Sequence, residues 1–215
     1  MEIPVLKNIL EANDTIARMN RKTIINRGIT MVNIIGSPGA GKSSLILKTV
    51  KELSSPTGVI EGDISSDIDA RMMAENNIPV IQINTGGACH LDANMIRNAL
   101  EAFSFSNGIL FIENVGNLVC PAEFEVGEDF KVALCSVTEG DDKPYKYPLV
   151  FSKARVVILN KVDLLPYIDF DRKNFYQGVR ALNPEAAVFE VSAKTGQGMR
   201  EWSQWLDRYH KKGLS

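Results

Sequence analysis

The feature that most constrains the fold is the stretch Gly-Ser-Pro-Gly-Ala-Gly-Lys-Ser at positions 36–43, which fits the pattern G-x-x-x-x-G-K-[ST] throughout. An apolar run over residues 29–35 precedes it, and a helical pattern over residues 42–53 follows it. This strand–loop–helix order suits phosphate binding, because backbone N–H groups and the positive end of the helix both face the anion. The sequence therefore predicts a P-loop nucleotide-binding fold.

The residues of this loop have separate expected roles. The Lys42 ammonium is expected to reach the β- and γ-phosphates and to assist catalysis, and the Ser43 hydroxyl is expected to bind Mg²⁺. The residues expected to surround the phosphates are Gly36, Ser37, Pro38, Gly39, Ala40, Gly41, Lys42, Ser43 and Ser44. A glycine-rich turn without a ligand is the alternative, and the flanking strand and helix patterns argue against it.

Strand-like and helix-like segments alternate along the chain. The predicted strands are 30–35, 57–61, 79–83, 108–113, 130–136, 155–160 and 187–191, and the predicted helices are 42–53, 67–76, 92–103, 171–182 and 198–211. This alternation predicts an α/β protein with three layers, in which a mostly parallel sheet carries helices on both faces.

Two further segments complete the predicted organisation. Apolar residues at helical spacing over 5–25 predict an extra amphipathic helix, within an N-terminal extension of residues 1–28 on a single domain of residues 1–215. Residues 140–148 are polar and contain two prolines, which predicts a connection without regular helix or strand.

Composition narrows the class of protein. The chain is 45% hydrophobic and 23% charged, with a formal net charge of −2, which suits one soluble domain and gives no field that would attract nucleic acid. No apolar run approaches the roughly 18 residues of a membrane helix, and residues 1–10 lack the apolar core of a signal peptide. The three cysteines are an odd number, which favours reduced thiols. We expect a cytoplasmic protein that binds neither membrane nor nucleic acid.

A second motif indicates a pocket that binds a guanine base. The apolar run 156–159 ends in Asn-Lys-Val-Asp at 160–163, at the strand end where open α/β sheets bind ligands. The carboxylate of the aspartate can accept hydrogen bonds from guanine N1–H and from its 2-amino group, a donor pair that adenine lacks. Alone, N-K-x-D also fits a solvated loop, but here Ser-Ala-Lys follows another strand and resembles the loop that closes a GTPase base pocket. The expected base-pocket residues are Asn160, Lys161, Asp163, Ser192, Ala193 and Lys194.

The strand over 108–113 ends in an acid and a glycine turn. Glu113, followed by Asn-Val-Gly, resembles the D-x-x-G motif of GTPase switch II with Glu in place of Asp. The Glu113 carboxylate is expected to hold Mg²⁺ and to serve catalysis, and the Gly116 N–H is expected to bond the γ-phosphate and so to sense its presence. A strand followed by a simple glycine turn is the alternative.

Four acids lie within residues 61–69, after the second predicted strand. Such a cluster beside phosphates needs a cation or protons, and it is interpreted as switch I. Asp63 and Asp69 are the candidates for Mg²⁺ ligation or for orienting the attacking water, and Asp69 is chosen as the magnesium ligand. Asp67 is instead expected to mark a helix N-terminus.

Three residues form a candidate site for a softer metal. Cys89 and His90 are adjacent in a loop between a strand and a helix, and Cys120 follows switch II. A thiolate pair with an imidazole suits Zn²⁺ or Ni²⁺, although each cysteine, taken alone, is more often a small buried residue than a ligand. Cys135 is expected to be buried, and His210 to be a solvated helix-end residue. Three ligands leave a coordination position for water or for a second subunit.

Together these motifs resemble the HypB family of hydrogenase nickel-incorporation GTPases. The resemblance covers the whole predicted GTPase domain and rests on G-S-P-G-A-G-K-S-S (36–44), E-G-D (61–63), D-A-R (69–71), G-G-A-C-H-L-D-A (86–93), E-N-V-G-N-L-V-C-P (113–121), T-E-G-D-D-K-P-Y-K-Y-P (138–148) and N-K-V-D (160–163). The C-P-H motif of the related urease GTPases is absent. Residues 89, 90 and 120 match the family's G-domain metal ligands.

The resemblance implies slow hydrolysis of GTP to GDP, coupled to nickel insertion into the large subunit of [NiFe]-hydrogenase with help from a HypA-like chaperone. It also implies a homodimer that depends on GTP, metal or both, in which Lys146 is expected to reach the nucleotide of the partner. Neither the family's N-terminal C-x-x-C-G-C motif nor its His-rich stretch occurs in this sequence, so high-affinity nickel capture is expected to lie elsewhere. Two alternatives are a GTP-dependent metallochaperone for another enzyme, such as urease or a cobalamin-dependent mutase, and a zinc-stabilised dimer with a bound nucleotide.

Overall fold

A computed structural model of the protein describes residues 5–63 and 67–213. The strands are β1 Ile29–Gly36, β2 Thr57–Asp63, β3 Val80–Asn84, β4 Gly108–Glu113, β5 Phe130–Ser136, β6 Ala154–Asn160 and β7 Ala187–Glu190. The helices are α1 Val5–Asn26, α2 Lys42–Val50, α3 Ile68–Glu75, α4 Ala93–Ala102, α5 Cys120–Glu123, α6 Lys143–Lys146, α7 Pro148–Lys153, α8 Arg172–Leu182 and α9 Met199–Gly213. Short 3-10 helices cover Val137–Glu139 and Val162–Tyr167.

The seven strands form one sheet in the order β3-β2-β4-β1-β5-β6-β7, and every neighbouring pair is parallel. All carboxyl ends therefore lie along one edge, and the loop after β1 sits at the centre of that edge. Each predicted strand and long helix is present, with boundaries that differ by a few residues at most. The predicted α/β fold with a parallel sheet is confirmed.

The core lies on both faces of the sheet, because successive side chains of a strand point to opposite sides. On one face, Val32 and Ile34 pack with residues of α2 and α9, including the fully buried Trp202. On the other face, Met31 packs in a cluster with residues of α1 and α4, and Ile35 packs in a cluster with residues of α7 and α8. Strands buried on both faces explain the continuous apolar runs in the sequence.

The N-terminal helix α1 packs beside α4. Ala17 and Ile24 are buried, as the apolar spacing predicts. Two asparagines of the same helix are also buried: Asn13 donates to the carbonyl of Glu125 at 2.7 Å, and Asn20 donates to the carbonyls of Ala93 and Val126. Residues 1–4 of the predicted extension lie outside the described residues.

The expectation that residues 140–148 contain no regular structure is wrong. Two short helices, α6 and α7, occupy 143–146 and 148–153. Pro144 and Pro148 fall in the first turns of these helices, where a missing N–H costs nothing because no intrahelical partner exists for it. Before these helices, the side chain of Glu139 accepts a hydrogen bond from the Ser136 N–H at 2.7 Å and helps to cap the 3-10 turn Val137–Glu139.

The interpretation of His210 as a solvated residue is also wrong. Its side chain is 3% exposed, and Nδ1 lies 2.8 Å from the Thr30 hydroxyl at the start of β1. Burial lowers the pKa of this histidine. The polar neighbours in sequence misled the interpretation because, on the amphipathic helix α9, neighbouring residues face different sides.

None of the helices in the described ranges combines the length and the apolar character needed to cross a membrane.

Candidate functional site

The phosphate loop connects β1 to α2 and depends on glycine at three points. Gly39 and Gly41 have φ angles of 76° and 95°, in the left-handed region that favours glycine. A Cβ at Gly36 would lie 2.7 Å from the Leu134 carbonyl oxygen, and a Cβ at Gly41 would lie 2.5 Å from Asn160 Nδ2. The loop is therefore held against both β5 and the end of β6.

The two reactive side chains of the loop point into a cavity of about 540 Å³. Lys42 Nζ lies 3.4 Å from the carbonyl oxygens of Gly36 and Ser37, within the curve of the loop. The Ser43 hydroxyl donates to Glu113 Oε1 at 2.7 Å. The cavity lining also includes Pro38, Gly39, Gly41, Ser44, Asp63, Asp69, Glu113, Val115, Gly116 and Lys161.

Glu113, which lines this cavity, belongs to a pair of buried carboxyl groups. Glu61 of β2 is directly opposite Glu113 of β4 in the sheet register, and the residues are 2% and 3% exposed. The Oε2 atoms of both groups are buried and have no hydrogen-bond partner among the described residues. Unpaired buried carboxylate oxygens beside a serine hydroxyl are donors that suit a hard divalent cation such as Mg²⁺.

The pKa values of both carboxyls are raised. Burial is the main cause at Glu61, reinforced by the charge of Glu113 and then of Asp63 and Asp69, and it brings the pKa to about 8. Burial also raises the pKa of Glu113 to about 7, against the lowering effect of the Ser43 hydrogen bond. Sequence reasoning noted Glu61 only as one of four clustered acids. Its position opposite Glu113 in the pairing of β2 with β4 distinguishes Glu61 from the other three acids.

Asp63, Asp69 and Gly116 of the two predicted switches border the same cavity. Asp63 ends β2, and Asp69 lies in the first turn of α3. Asp67 precedes that helix, as predicted, and it accepts hydrogen bonds from Arg71 one turn later. Gly116 lies against the phosphate loop so closely that a Cβ there would be 2.8 Å from Pro38 Cγ. Residues 64–66 of the predicted switch I lie outside the described residues.

A smaller cavity of about 170 Å³ adjoins the phosphate loop at the end of β6. Asp163 Oδ1 in its wall is buried without a hydrogen-bond partner in the described residues. Asn160 braces the surrounding loops, since its Nδ2 donates to the Ala40 carbonyl at 2.9 Å and its Oδ1 accepts from the N–H groups of Lys161 and Ala193. Lys194 also lines this cavity. Ser192 is buried, and its hydroxyl accepts from the Thr195 N–H at 3.0 Å, which shapes the S-A-K turn.

The structure brings Cys89, His90 and Cys120 together. Their potential ligand atoms lie within 4.8 Å of one another, with Cys89 exposed and the other two half-buried. The imidazole of His90 stacks on the Phe124 ring at a centroid distance of 4.0 Å, which ties one loop to α5. Asn117 Nδ2 donates to the Cys89 carbonyl at 3.3 Å and ties the loops together again. Cys135 is fully buried in β5, as predicted.

The electrostatics of this cluster favour metal binding, because they disfavour the protonated form of the imidazole. Burial lowers the pKa of His90, against the opposing charges of Asp92 and Glu123, so the ring is neutral near pH 7 and keeps a lone pair for coordination. The hydrogen bond with Cys120, followed by burial, raises the pKa of the Cys89 thiol. Protons and metal therefore compete for this sulfur.

A cavity of about 600 Å³ lies away from these residues, where β1 and β6 begin. Arg21, Asp129, Arg155, Trp205 and Tyr209 are among its lining residues, and none of the predicted site residues is. Ligand binding at the carboxyl edge of the sheet is the rule for open α/β folds, so volume alone does not identify the functional cavity here.

The parallel sheet and the phosphate loop define a P-loop nucleotide-binding protein. The family model described as CobW/HypB/UreG, nucleotide-binding domain, matches residues 30–190. The chain belongs to this family.

Comparisons with individual proteins agree with the family. The hydrogenase maturation factor HypB of Escherichia coli (strain K12) is 47% identical over 203 residues, which cover 93% of this chain and 70% of that protein. The crystal structure of HypB from Helicobacter pylori in complex with nickel superposes with a TM-score of 0.90 at 32% identity, over 94% of this chain and 96% of that one. The structure of HypB from Archaeoglobus fulgidus gives a TM-score of 0.87 at 37% identity, over 94% and 100% of the two chains. The resemblance expected from the motifs is confirmed.

Replacing Glu61 by glutamine tests the raised pKa. In the nucleotide-free and magnesium-free wild type, the free energy of unfolding is expected to fall as the pH rises from 4.5 to about 8. The reason is that the unfolded chain releases the Glu61 proton near 4.5 while the native protein holds it up to about pH 8. Glu61→Gln should match wild type near pH 4.5 and be more stable at pH 8 by roughly 2–4 kcal/mol, since each pKa unit corresponds to about 1.4 kcal/mol.

Urea denaturation at the two pH values measures the difference. The exposed Glu101 provides a control, and Glu101→Gln should leave stability nearly unchanged at both. A Glu61→Gln variant less stable than wild type at pH 8 would contradict the assignment of a buried, proton-holding carboxyl.

Proposed function

We propose that this protein is a metal-binding GTPase that assists nickel insertion into [NiFe]-hydrogenase. The observation that carries the proposal is the placement, along one sheet edge, of a phosphate loop, a pocket with an unpaired aspartate oxygen and a Cys–His–Cys cluster. The related E. coli protein is named a hydrogenase maturation factor, and the related H. pylori structure is a complex with nickel. The proposal extends both properties to this chain.

Guanine selectivity is assigned to the pocket after β6. Asp163 Oδ1, left without a partner in the described residues, would accept from guanine, and Asn160 keeps the surrounding loops in place. An adenine base would leave the same buried oxygen unpaired, at a cost of about 1–3 kcal/mol.

Hydrolysis of GTP is assigned to the cavity around the phosphate loop. Lys42 would neutralise the β- and γ-phosphates, while Ser43, Glu113 and one of the switch I acids hold the Mg²⁺ that the nucleotide brings. The bound cation supplies charge neutralisation at the transferring phosphoryl group. Asp63 and Asp69 border this cavity and are the candidates for orienting the attacking water.

The Cys–His–Cys cluster is assigned to the delivered metal, with Ni²⁺ as cargo and Zn²⁺ as a competitor for the same ligands. Three protein ligands leave a position open for exchange, which a delivery site needs and a closed structural site lacks. A HypA-like chaperone and the hydrogenase large subunit are the proposed sources and acceptors of the metal, in the cytoplasm.

The active form is proposed to be a homodimer. Lys146 on α6 is 58% exposed and forms an ion pair with Asp142, whereas Lys143 of the same helix is turned inward to the Glu139 carbonyl. Lys146 is therefore the residue of that helix proposed to reach the nucleotide of a partner subunit.

The base-pocket assignment predicts the effect of Asp163→Asn. The amide would face the guanine donors with an N–H group of its own, so GTP affinity should fall by roughly 2–4 kcal/mol while relative affinity for xanthosine triphosphate rises. Calorimetric titration with both nucleotides, together with phosphate release, measures this. Lys42→Ala should suppress turnover of both nucleotides, and a GTP affinity unchanged by Asp163→Asn would exclude this pocket as the base site.

The metal assignment predicts that Ni²⁺ and Zn²⁺ binding requires Cys89, His90 and Cys120 but not Cys135. Alanine at any of the three should reduce affinity by at least tenfold, whereas Cys135→Ala should keep the stoichiometry. Affinity should weaken as the pH falls through neutrality, since protons compete for the thiols and the imidazole. Equilibrium competition with a chromogenic chelator gives both results, and metal loss on changing Cys135 alone would show that the ligand set is wrong.

The dimer assignment predicts a mostly monomeric GDP form and a mostly dimeric form with a non-hydrolysable GTP analogue. Lys146→Ala should weaken the analogue-dependent dimer, while the same change at Lys153, an ion-paired lysine on α7, should not. Light scattering with and without metal measures the mass. A constant mass in every nucleotide and metal state would rule out the trans-acting lysine.

A further inference from the structure

The loop of residues 85–92, which connects β3 to α4 and carries Cys89 and His90, is called the metal loop. Leu91 lies where this metal loop meets both switches. It directly follows His90, and its N–H donates to Asn114 Oδ1 at 3.1 Å. Its fully buried side chain packs on Gly62 so tightly that a Cβ at Gly62 would lie 2.6 Å from Leu91 Cδ1.

Two of the residues that Leu91 contacts, Gly62 and Asn114, are neighbours of the candidate magnesium ligands. Gly62 precedes Asp63 at the end of β2, and Asn114 follows Glu113 at the end of β4. The Thr85 N–H, at the start of the same metal loop, donates to the Asp63 carbonyl at 2.9 Å. These contacts join the backbone of both switches directly to the loop that holds Cys89 and His90. A backbone movement in either switch therefore displaces that loop.

Asn114 is built to transmit such a displacement. Its side chain is 1% exposed, and besides accepting from Leu91 it accepts from its own neighbour, the Val115 N–H, at 3.0 Å. Its Nδ2 donates to Asn33 Oδ1 at 3.2 Å, and Asn33 in turn donates to Glu128. The Asn114 N–H also donates to the Ile34 carbonyl of β1 at 3.2 Å. A buried amide bonded on both its oxygen and its nitrogen has little rotational freedom, so it fixes the position of the Leu91 N–H relative to the start of switch II.

The other end of the metal loop is fixed to a different element. The Ala93 N–H donates to Asn13 Oδ1 at 2.9 Å, and the Ala93 carbonyl accepts from Asn20, both on α1. Leu91 and Ala93 both follow His90 in the chain, and the contact with switch II at Leu91 is the nearer of the two to His90.

We infer that Asn114, through the Leu91 N–H, is the positioning residue that couples the state of the nucleotide to the orientation of His90. The inference rests on the proposed function, since it needs a nucleotide at one site and a metal at the other. It adds to two other connections: Cys120 follows switch II directly in the chain, and Asn117 of switch II donates to the Cys89 carbonyl. Both halves of the metal site would then respond to one event at the γ-phosphate.

The test compares coupling factors, defined as the ratio of Ni²⁺ dissociation constants measured with GDP and with a non-hydrolysable GTP analogue, each with Mg²⁺. Wild type should show at least about a fivefold ratio, within the usual range for coupled sites, and Ni²⁺ should change the ratio of analogue affinity to GDP affinity by the same factor. In Asn114→Ala both ligands should still bind while the ratio falls at least twofold below that of wild type, because the connection through Cys120 remains. Asn114→Asp, which keeps the acceptor oxygen for the Leu91 N–H, should recover most of the ratio.

Asn13→Ala is the matched control. It removes a hydrogen bond to the same loop from α1 but leaves the link to switch II, so the coupling ratio should stay as in wild type. A ratio unchanged in Asn114→Ala, or lost equally in Asn13→Ala, overturns the inference.

Two other outcomes separate the inference from the proposed function. A wild-type ratio near one, with both ligands bound, refutes the relay and leaves the two sites intact. A wild type that binds no GTP or no Ni²⁺ refutes the proposed function and the relay with it. If Asn114→Ala does not fold, amide hydrogen exchange at Leu91 in wild type decides, because identical rates with GDP and with the analogue would exclude the relay.

Discussion

Seven parallel strands that end along one edge are the constraint on which the candidate sites depend. The phosphate loop follows the central strand β1, and the carboxyl ends of β2, β4 and β6 deliver the acids and the base pocket around it. Residues more than a hundred positions apart, such as Ala40 and Asn160, therefore come within hydrogen-bond distance. Neither site is formed by one continuous segment, and both are lost if the register of the sheet is lost.

The register also explains the most unusual electrostatic feature. In a parallel pair, residues opposite each other in neighbouring strands point to the same side, so Glu61 and Glu113 are forced together. Their burial follows from the central position of β4 between β1 and β2. Two acids in this arrangement are stable either with protons or with a cation, and the Ser43 hydroxyl donates a hydrogen bond to one of them.

Much of the fold was predictable because its signals are local. Apolar runs bounded by glycine and polar residues mark strands buried on both faces, and the phosphate loop fixes the order of the first strand and helix. The candidate binding residues were predictable for the same reason, since each belongs to a short motif. Residues 140–148 were misjudged because proline was treated as excluding a helix rather than as compatible with its first turn.

The features that sequence reasoning missed are contacts between distant segments. His210 appeared solvated because its neighbours are lysines, and only the packing of α9 against the start of β1 buries it. Likewise, nothing local distinguishes Asn114 from any other polar residue after a strand. Its significance comes from Leu91, which approaches it from another loop, and such a contact is visible only when the chain is folded.

The raised carboxyl pKa values have a consequence for metal sorting within one small protein. The pKa values of about 8 for Glu61 and about 7 for Glu113 mean that protons occupy Glu61 and in part Glu113 near neutral pH, which reduces the negative charge of this pair. The Cys–His–Cys cluster, with its neutral imidazole, offers softer donors on the surface at the same time. Under the proposed function, a transition metal that arrives before GTP would be directed to sulfur and nitrogen, and the oxygen site would be left for the cation that enters with the nucleotide.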